Sequence, residues 1–130
     1  MTKIKNICFV FLLLMIGSCN TKEAFKPAED ALDAVRFFSD AYQQGKQEQA
    51  KLYCVNNSNN AAQLDVLFKG YNKLSMYQKK QLASAPIIIL NIQNINDSTA
   101  KITTSDQDGT SIDTFNVVQK NNIWLVNLSK

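Results

Sequence analysis

A chain of 130 residues with 14 basic and 11 acidic side chains is long enough for one compact domain. With no block of like charge, it offers no track for a nucleic-acid backbone. It contains no histidine, which excludes imidazole metal sites, Ser-His-Asp or Cys-His nucleophile pairs and the usual general base near neutral pH. Any catalysis would rest on carboxylates, Lys or Tyr.

Lys3 and Lys5 open the chain, and Ile7 to Ile16 is an almost unbroken apolar run. That run is about half the ~20 residues a membrane helix needs, so it reads as the apolar segment of a signal peptide. Ile16-Gly17-Ser18-Cys19 then resembles the lipobox of bacterial lipoproteins. Its small residues lie extended in a peptidase groove, and its cysteine thiol takes the lipid. Residues 1–18 are expected to be the signal, with Ile16, Gly17 and Ser18 as recognition residues. Cys19 is the expected lipidation site, and 19–26 the lipidated tether; the alternative is a plain secretory signal. Seven residues from Asn20 to Lys26 reach roughly 25 Å when extended, so the domain at 27–130 would sit close to a membrane. Asn20 stands where an Asp would retain a lipoprotein at an inner membrane, which favours the outer membrane of a cell envelope, with the leaflet open. Without Lys3 and Lys5 the chain keeps 12 basic against 11 acidic side chains, a near-neutral balance. Cys8 leaves with the signal and Cys19 carries lipid, so Cys54 remains alone and cannot form an internal disulfide. It is read as a small buried apolar residue on a helix.

Pro27 at a first helical position, followed by Glu29 and Asp30, predicts a helix start favoured by the dipole. Ala28, Ala31, Val35, Phe38 and Tyr42 then recur at three- and four-residue spacing up to Gly45, a fitting left-handed C-terminal residue. Gln47 to about Val55 predicts a second helix and Asn56–Asn60 a polar break. A third helix carries Ala61, Leu64, Leu67, Phe68 and Tyr71. Ser75-Met76-Tyr77-Gln78 has capping-box form and starts a last short helix to about Leu82, before Pro86 blocks continuation.

Beyond Pro86 the period changes to two, which predicts strands at Ile87–Ile95, Thr99–Ser105, Thr110–Gln119 and Ile123–Leu128. Asp108-Gly109 and Asn121-Asn122 serve as hairpin turns. Two-residue loops there pair Ile102 with Phe115, Ala100 with Val117, Val117 with Val126, and Phe115 with Leu128. Directly paired residues share a face, so Ala100, Ile102, Phe115, Val117, Trp124, Val126 and Leu128 form an inner face. An odd first loop, Asn96-Asp97-Ser98, would bring Ile88, Leu90 and Ile92 onto it. The outer face then carries Ile87, Ile89, Ile95, Ile112, Val118, Ile123 and Leu125 among Asn, Gln, Lys and Thr. Two readings of that mixture stay open: ordinary β-branched enrichment, or an association surface centred on Ile89, Ile112, Val118 and Leu125 for a second copy or another protein. Asp113 is assigned to the outer face, leaving the inner face without a carboxylate.

Helices followed by a four-strand meander, with Ala34-Val35-Arg36-Phe37-Phe38, Gly45 leading to Ala50-Lys51-Leu52-Tyr53, Asp97-Ser98-Thr99-Ala100-Lys101-Ile102 and the tail Val117 to Lys130, resemble a known arrangement. The chain is similar to small bacterial lipoproteins of Bacteroidota type bearing a nuclear-transport-factor-2-like domain of unknown function, a family that sometimes carries a lumazine-binding label. The resemblance covers Pro27 to Lys130 and implies a cone-shaped α+β fold with helices on one face of a four-stranded antiparallel sheet. Its quoted residues are fold residues, not catalytic ones, and fold alone does not transfer function. Enzymes on this fold, such as ketosteroid isomerases, use polar side chains aimed into the cavity between sheet and helices.

Two smaller motifs have bland and sharp readings. Asp106-Gln107-Asp108-Gly109 looks like the opening of a calcium loop without its downstream Glu, and is read as a turn. Asp97-Ser98-Thr99 fits the O-glycosylation pattern of Bacteroidota at Ser98, and equally makes a turn. The combined expectation is a lipid-anchored, non-catalytic domain for protein interaction or structural support, with no cofactor, metal or nucleic acid. The alternative is an apolar small molecule held in a pocket walled by Phe38, Phe68, Phe115 and Trp124. An enzyme is the third choice.

Overall fold

The computed structural model describes residues 24–129. Ile16, Gly17, Ser18 and Cys19 lie outside them. Among the described residues α1 (Ala31–Gln43), α2 (Gln47–Leu52), α3 (Ser58–Asn72) and α4 (Met76–Ser84) precede β1 (Ile88–Asn96), β2 (Thr99–Ser105), β3 (Ile112–Lys120) and β4 (Ile123–Asn127). The strands form one antiparallel sheet in the order β1-β2-β3-β4, and α1 lies across β2, β3 and β4. This is the expected α+β fold.

α1 begins later than Pro27. Asp30 is extended, and its carboxylate accepts the Asp33 amide at 2.7 Å, so it caps the helix and is not part of its first turn. The helix buries Ala31, Ala34, Val35, Phe38 and Ala41 as one stripe. Gly45 ends it at φ +71, with Lys46 N–H donating to Ala41 O and Gly45 N–H to Tyr42 O, both at 2.9 Å. A Cβ on Gly45 would stand 2.6 Å from the Tyr71 ring, so glycine is required twice over.

α2 stops at Leu52 instead of running to Val55. Tyr53 to Val55 turn extended and add a short bridge to the edge of β4: Val126 N–H donates to Tyr53 O at 2.8 Å and Val55 N–H to Val126 O at 2.9 Å. Cys54 is therefore buried beside a strand and does not sit on a helix. The expected polar break is also partly helix. Asn57 caps α3 by accepting the Asn60 amide at 2.7 Å, and Asn60 lies inside that helix, 1% exposed. The Ser75–Gln78 capping box is present, and α4 runs to Ser84 with no buried residue. Gln43 Nε2 ties its end to α1 by donating to Ala85 O at 3.2 Å.

The later hairpins carry the expected register: Ile102↔Phe115, Ala100↔Val117 and Val117↔Val126 are direct partners. Asn121 and Asn122 take positive φ (51° and 62°) in the last turn. Between β2 and β3 the ladder stops at Ser105↔Ile112, because the Asp106 carboxylate captures the Thr110 amide (2.8 Å), the Thr110 hydroxyl (2.8 Å) and the Ser111 amide (3.2 Å). Those contacts hold the Asp106 carboxyl below its ordinary range, the Thr110 hydroxyl contributing most and then the Ser111 amide.

The first hairpin departs from expectation. Asn96 Oδ1 accepts the Ser98 amide at 2.9 Å and closes a two-residue loop, with Asn96 paired to Thr99. Register shifts between Asn94 and Asn96 and between Ile89 and Asn91 supply the odd residues. Ile92 thus opposes Ile102 as expected, but Ile89 opposes the buried Thr104 and packs against the core. Ile89 leaves the outer-face set, and Leu90, the bulged residue, is exposed. A second correction concerns Asp113, which pairs with Thr104 and shares the alternation of Phe115 and Val117. It belongs to the inner face.

The core joins the α1 stripe to Ala50, Tyr53, Cys54, Leu64, Phe68, Ala100, Ile102, Val117 and Val126. Among the described residues the cluster is continuous from Ala28 to Val126, joining helices and sheet.

Candidate functional site

A cleft of about 500 Å³ opens beside the core. Its walls come from α1 (Phe38, Tyr42, Gln43), the α3 side chain Leu67, and the α4 end with its following turn (Leu82, Ala85, Pro86). The sheet contributes Thr104, Asp113 and Phe115, and the C-terminal tail contributes Leu128 and Ser129. α4 buries no side chain and borders this space through Leu82.

Two of the four expected pocket residues line the cleft. Phe38 and Phe115 meet edge to face with centroids 6.0 Å apart. Phe68 is buried behind them, 3% exposed, and packs edge to face on Tyr42 at 5.5 Å. Trp124 stands elsewhere on the inner face, opposite Gln119 and packed against the core, with its amide donating to Ala28 O at 3.3 Å. Neither of these two lines the cleft.

The polar groups of the cleft are ones that pattern reading missed. Tyr42 is set by α1 between Phe68 and the Tyr71 ring, 5.9 Å away. Its hydroxyl is pushed above the ordinary tyrosine range, first by desolvation, then by the negative charge of Asp113, then by Tyr71. It stays protonated at physiological pH and can donate. Asp113 is exposed at the cleft margin, and no hydrogen bond or ion pair among the described residues engages its carboxylate. Strict alternation from Phe115 was the signal that could have placed it.

The tail wall is held by Asn60. Its Nδ2 donates to Val55 O at 2.8 Å, and its Oδ1 accepts Leu128 N–H (2.9 Å), Ser129 N–H (3.0 Å) and the Ser129 hydroxyl (3.1 Å). A buried asparagine so fully engaged fixes where Leu128 and Ser129 stand.

Of the expected association residues, Val118 and Leu125 pair on the outer face and are partly buried. Ile112 is 62% exposed on that face, opposite Ser105. A second groove of about 610 Å³ includes Leu125, Ile123, Leu52, Phe25 and Cys54. Burial pushes the Cys54 thiol up to about 12, which makes it a poor nucleophile. Ser98 is exposed in the first hairpin turn, its hydroxyl 3.2 Å from Asn96 Oδ1. No group of three or more His, Cys, Asp or Glu among the described residues could hold a metal ion. No helix among them is long and apolar enough to cross a membrane.

No protein-family model matches the chain, and no curated protein does. Among solved structures it is similar to an NTF-2-like protein of unknown function from Shewanella oneidensis MR-1. The identity is 12% and the TM-score 0.51, over 73% of this chain and 89% of that one. The fold is nuclear-transport-factor-2-like.

Proposed function

We propose that this domain binds an apolar small molecule in the cleft beneath α4, and that a lipid on Cys19 holds it at a membrane of the cell envelope. The observation that carries the binding reading is the cleft itself: about 500 Å³, with Phe38, Leu67, Leu82, Phe115 and Leu128 on its wall between polar side chains that include Tyr42 and Asp113. That volume falls within the range of small-molecule sites, which pair apolar walls with a small number of orienting groups. Tyr42 and Asp113 supply those groups here. The role is binding without catalysis: a protonated hydroxyl and an exposed carboxylate orient a ligand. The anchoring part rests on the lipobox-like Ile16-Gly17-Ser18-Cys19 and the apolar run before it.

A neutral fluorescent reporter, N-phenyl-1-naphthylamine, tests the binding part on residues 24–129. Its emission should rise on mixing, and Ala85→Trp, which puts an indole into the cleft from its rim, should abolish the rise without unfolding the protein. A rise that survives Ala85→Trp would move the site elsewhere. A second reading, contact with another protein through the outer sheet face, rests on the exposed Ile112 at one end of β3 and the outward Val118–Leu125 pair near the other.

A further inference from the structure

We propose that the ligand of this cleft is an amphipathic cation, an apolar body carrying an ammonium or amidinium head that is held against Asp113. This rests on the binding reading above and names its chemical class. Among the described residues, those lining the cleft include two aspartates, Asp106 and Asp113, and neither Lys nor Arg. Asp106 is already committed to its own turn, where its two carboxylate oxygens accept from Thr110 and Ser111. Asp113 is different. The pairing with Thr104 directs it to the inner face, and no hydrogen bond or ion pair among the described residues occupies its oxygens.

The surroundings of Asp113 suit a cation in a second way. Phe38, Tyr42 and Phe115 line the same cleft, and aromatic faces attract cations over distances of about 6 Å. The one lysine of α4 fixed by a ring contact, Lys79, is held 5.2 Å over the Tyr71 ring and does not line the cleft. A carboxylate or phosphate head entering here would meet Asp113 with no compensating positive charge among the described lining residues. A neutral ligand would fill the apolar part and leave Asp113 to water. An ammonium head satisfies the carboxylate while its apolar body covers Phe38 and Phe115, so the cation uses both halves of the site.

Displacement of N-phenyl-1-naphthylamine from residues 24–129 by dodecylammonium, dodecanol and dodecanoate, each below its micellar range and at low salt, tests the assignment. The three probes share a tail and differ in head charge. Dodecylammonium should displace the reporter about tenfold better than dodecanol, and dodecanoate should be weakest. Added salt should narrow the gap, because a partly exposed pair is screened. Asp113→Asn should bring dodecylammonium to the level of dodecanol, and Asp113→Lys should reverse the order in favour of dodecanoate. Equal displacement by all three would overturn the cationic class and leave the apolar cleft standing. A preference for dodecanoate in the wild type would also overturn it. A reporter that never binds the wild type would remove the binding reading and this inference with it.

Discussion

Asn60→Ala offers a stability test that reaches the cleft. The wild-type side chain is 1% exposed and makes four hydrogen bonds, one to Val55 O and three to groups of Leu128 and Ser129. A net bond is worth about 1 kcal/mol, and a buried group left unsatisfied costs about 1–3 kcal/mol. The partners are partly buried near the chain end, so water recovers a share, and the expected loss is about 2–4 kcal/mol. Against the ~5–15 kcal/mol typical of a domain this is a large fraction. Asn60→Leu keeps the volume and removes the bonds, so it separates hydrogen bonding from packing. Urea unfolding followed by Trp124 fluorescence gives the stability, and amide exchange at Leu128 and Ser129 reports the tail. Both variants should be destabilised, and both amides should exchange faster. If Asn60→Leu were as stable as wild type, with those amides still protected, the clamp assigned to Asn60 would be refuted.

Further expectations concern pH, association and anchoring. The Cys54 thiol is raised from 9.0 to about 12 in the folded state, so the folded chain keeps a proton that the unfolded chain releases. Its stabilising share is fully present below pH 9 and is lost as pH rises towards about 12, at up to ~1.4 kcal/mol per pH unit. Cys54→Ala should flatten the fall in the urea midpoint over that window, and an unchanged slope would argue against a buried thiol. Val118→Lys should weaken any self-association of residues 24–129 by several kcal/mol, since the ammonium must be desolvated on burial. Sedimentation velocity across a concentration series reads this, and a wild type that stays monomeric throughout removes homodimerisation. Wild-type chain should partition with membranes and carry acyl mass at Cys19, while Cys19→Ser should do neither. A wild-type chain that is cleaved but unacylated and soluble would sink the anchor.

Much of the architecture is written in local pattern. The Ala31-to-Tyr42 stripe, the Ser75–Gln78 box and the Asn121-Asn122 turn each depend on neighbours within a few residues, and the structure contains all three. The pairing of Ile102 with Phe115 follows because the turns and the apolar alternation agree. What stayed hidden is non-local. The bulge at Leu90 leaves no mark in composition, yet it turns Ile89 inward and takes it out of the association surface. Asn60 reads as a loop residue until its partners Leu128 and Ser129, far along the chain, are in place. Tyr53 to Val55 leave the helix because the edge of β4 offers them hydrogen bonds, which helix periodicity cannot register. Of the site, Phe38 and Phe115 were legible as inward aromatics, and Phe68 and Trp124 were too, but facing inward does not say which side chains border a void. That depends on where α4 sits, and α4 has almost no apolar face to announce it. Asp113 needed only strict alternation from Phe115.

The most direct test of the cleft reading is a chemical-shift map of residues 24–129 titrated with N-phenyl-1-naphthylamine. Saturable shifts are expected at Leu67, Leu82, Phe115 and Leu128, with Leu52 and Leu125 of the second groove unmoved. Shifts confined to Leu52 and Leu125, or none that saturate, would contradict binding beneath α4.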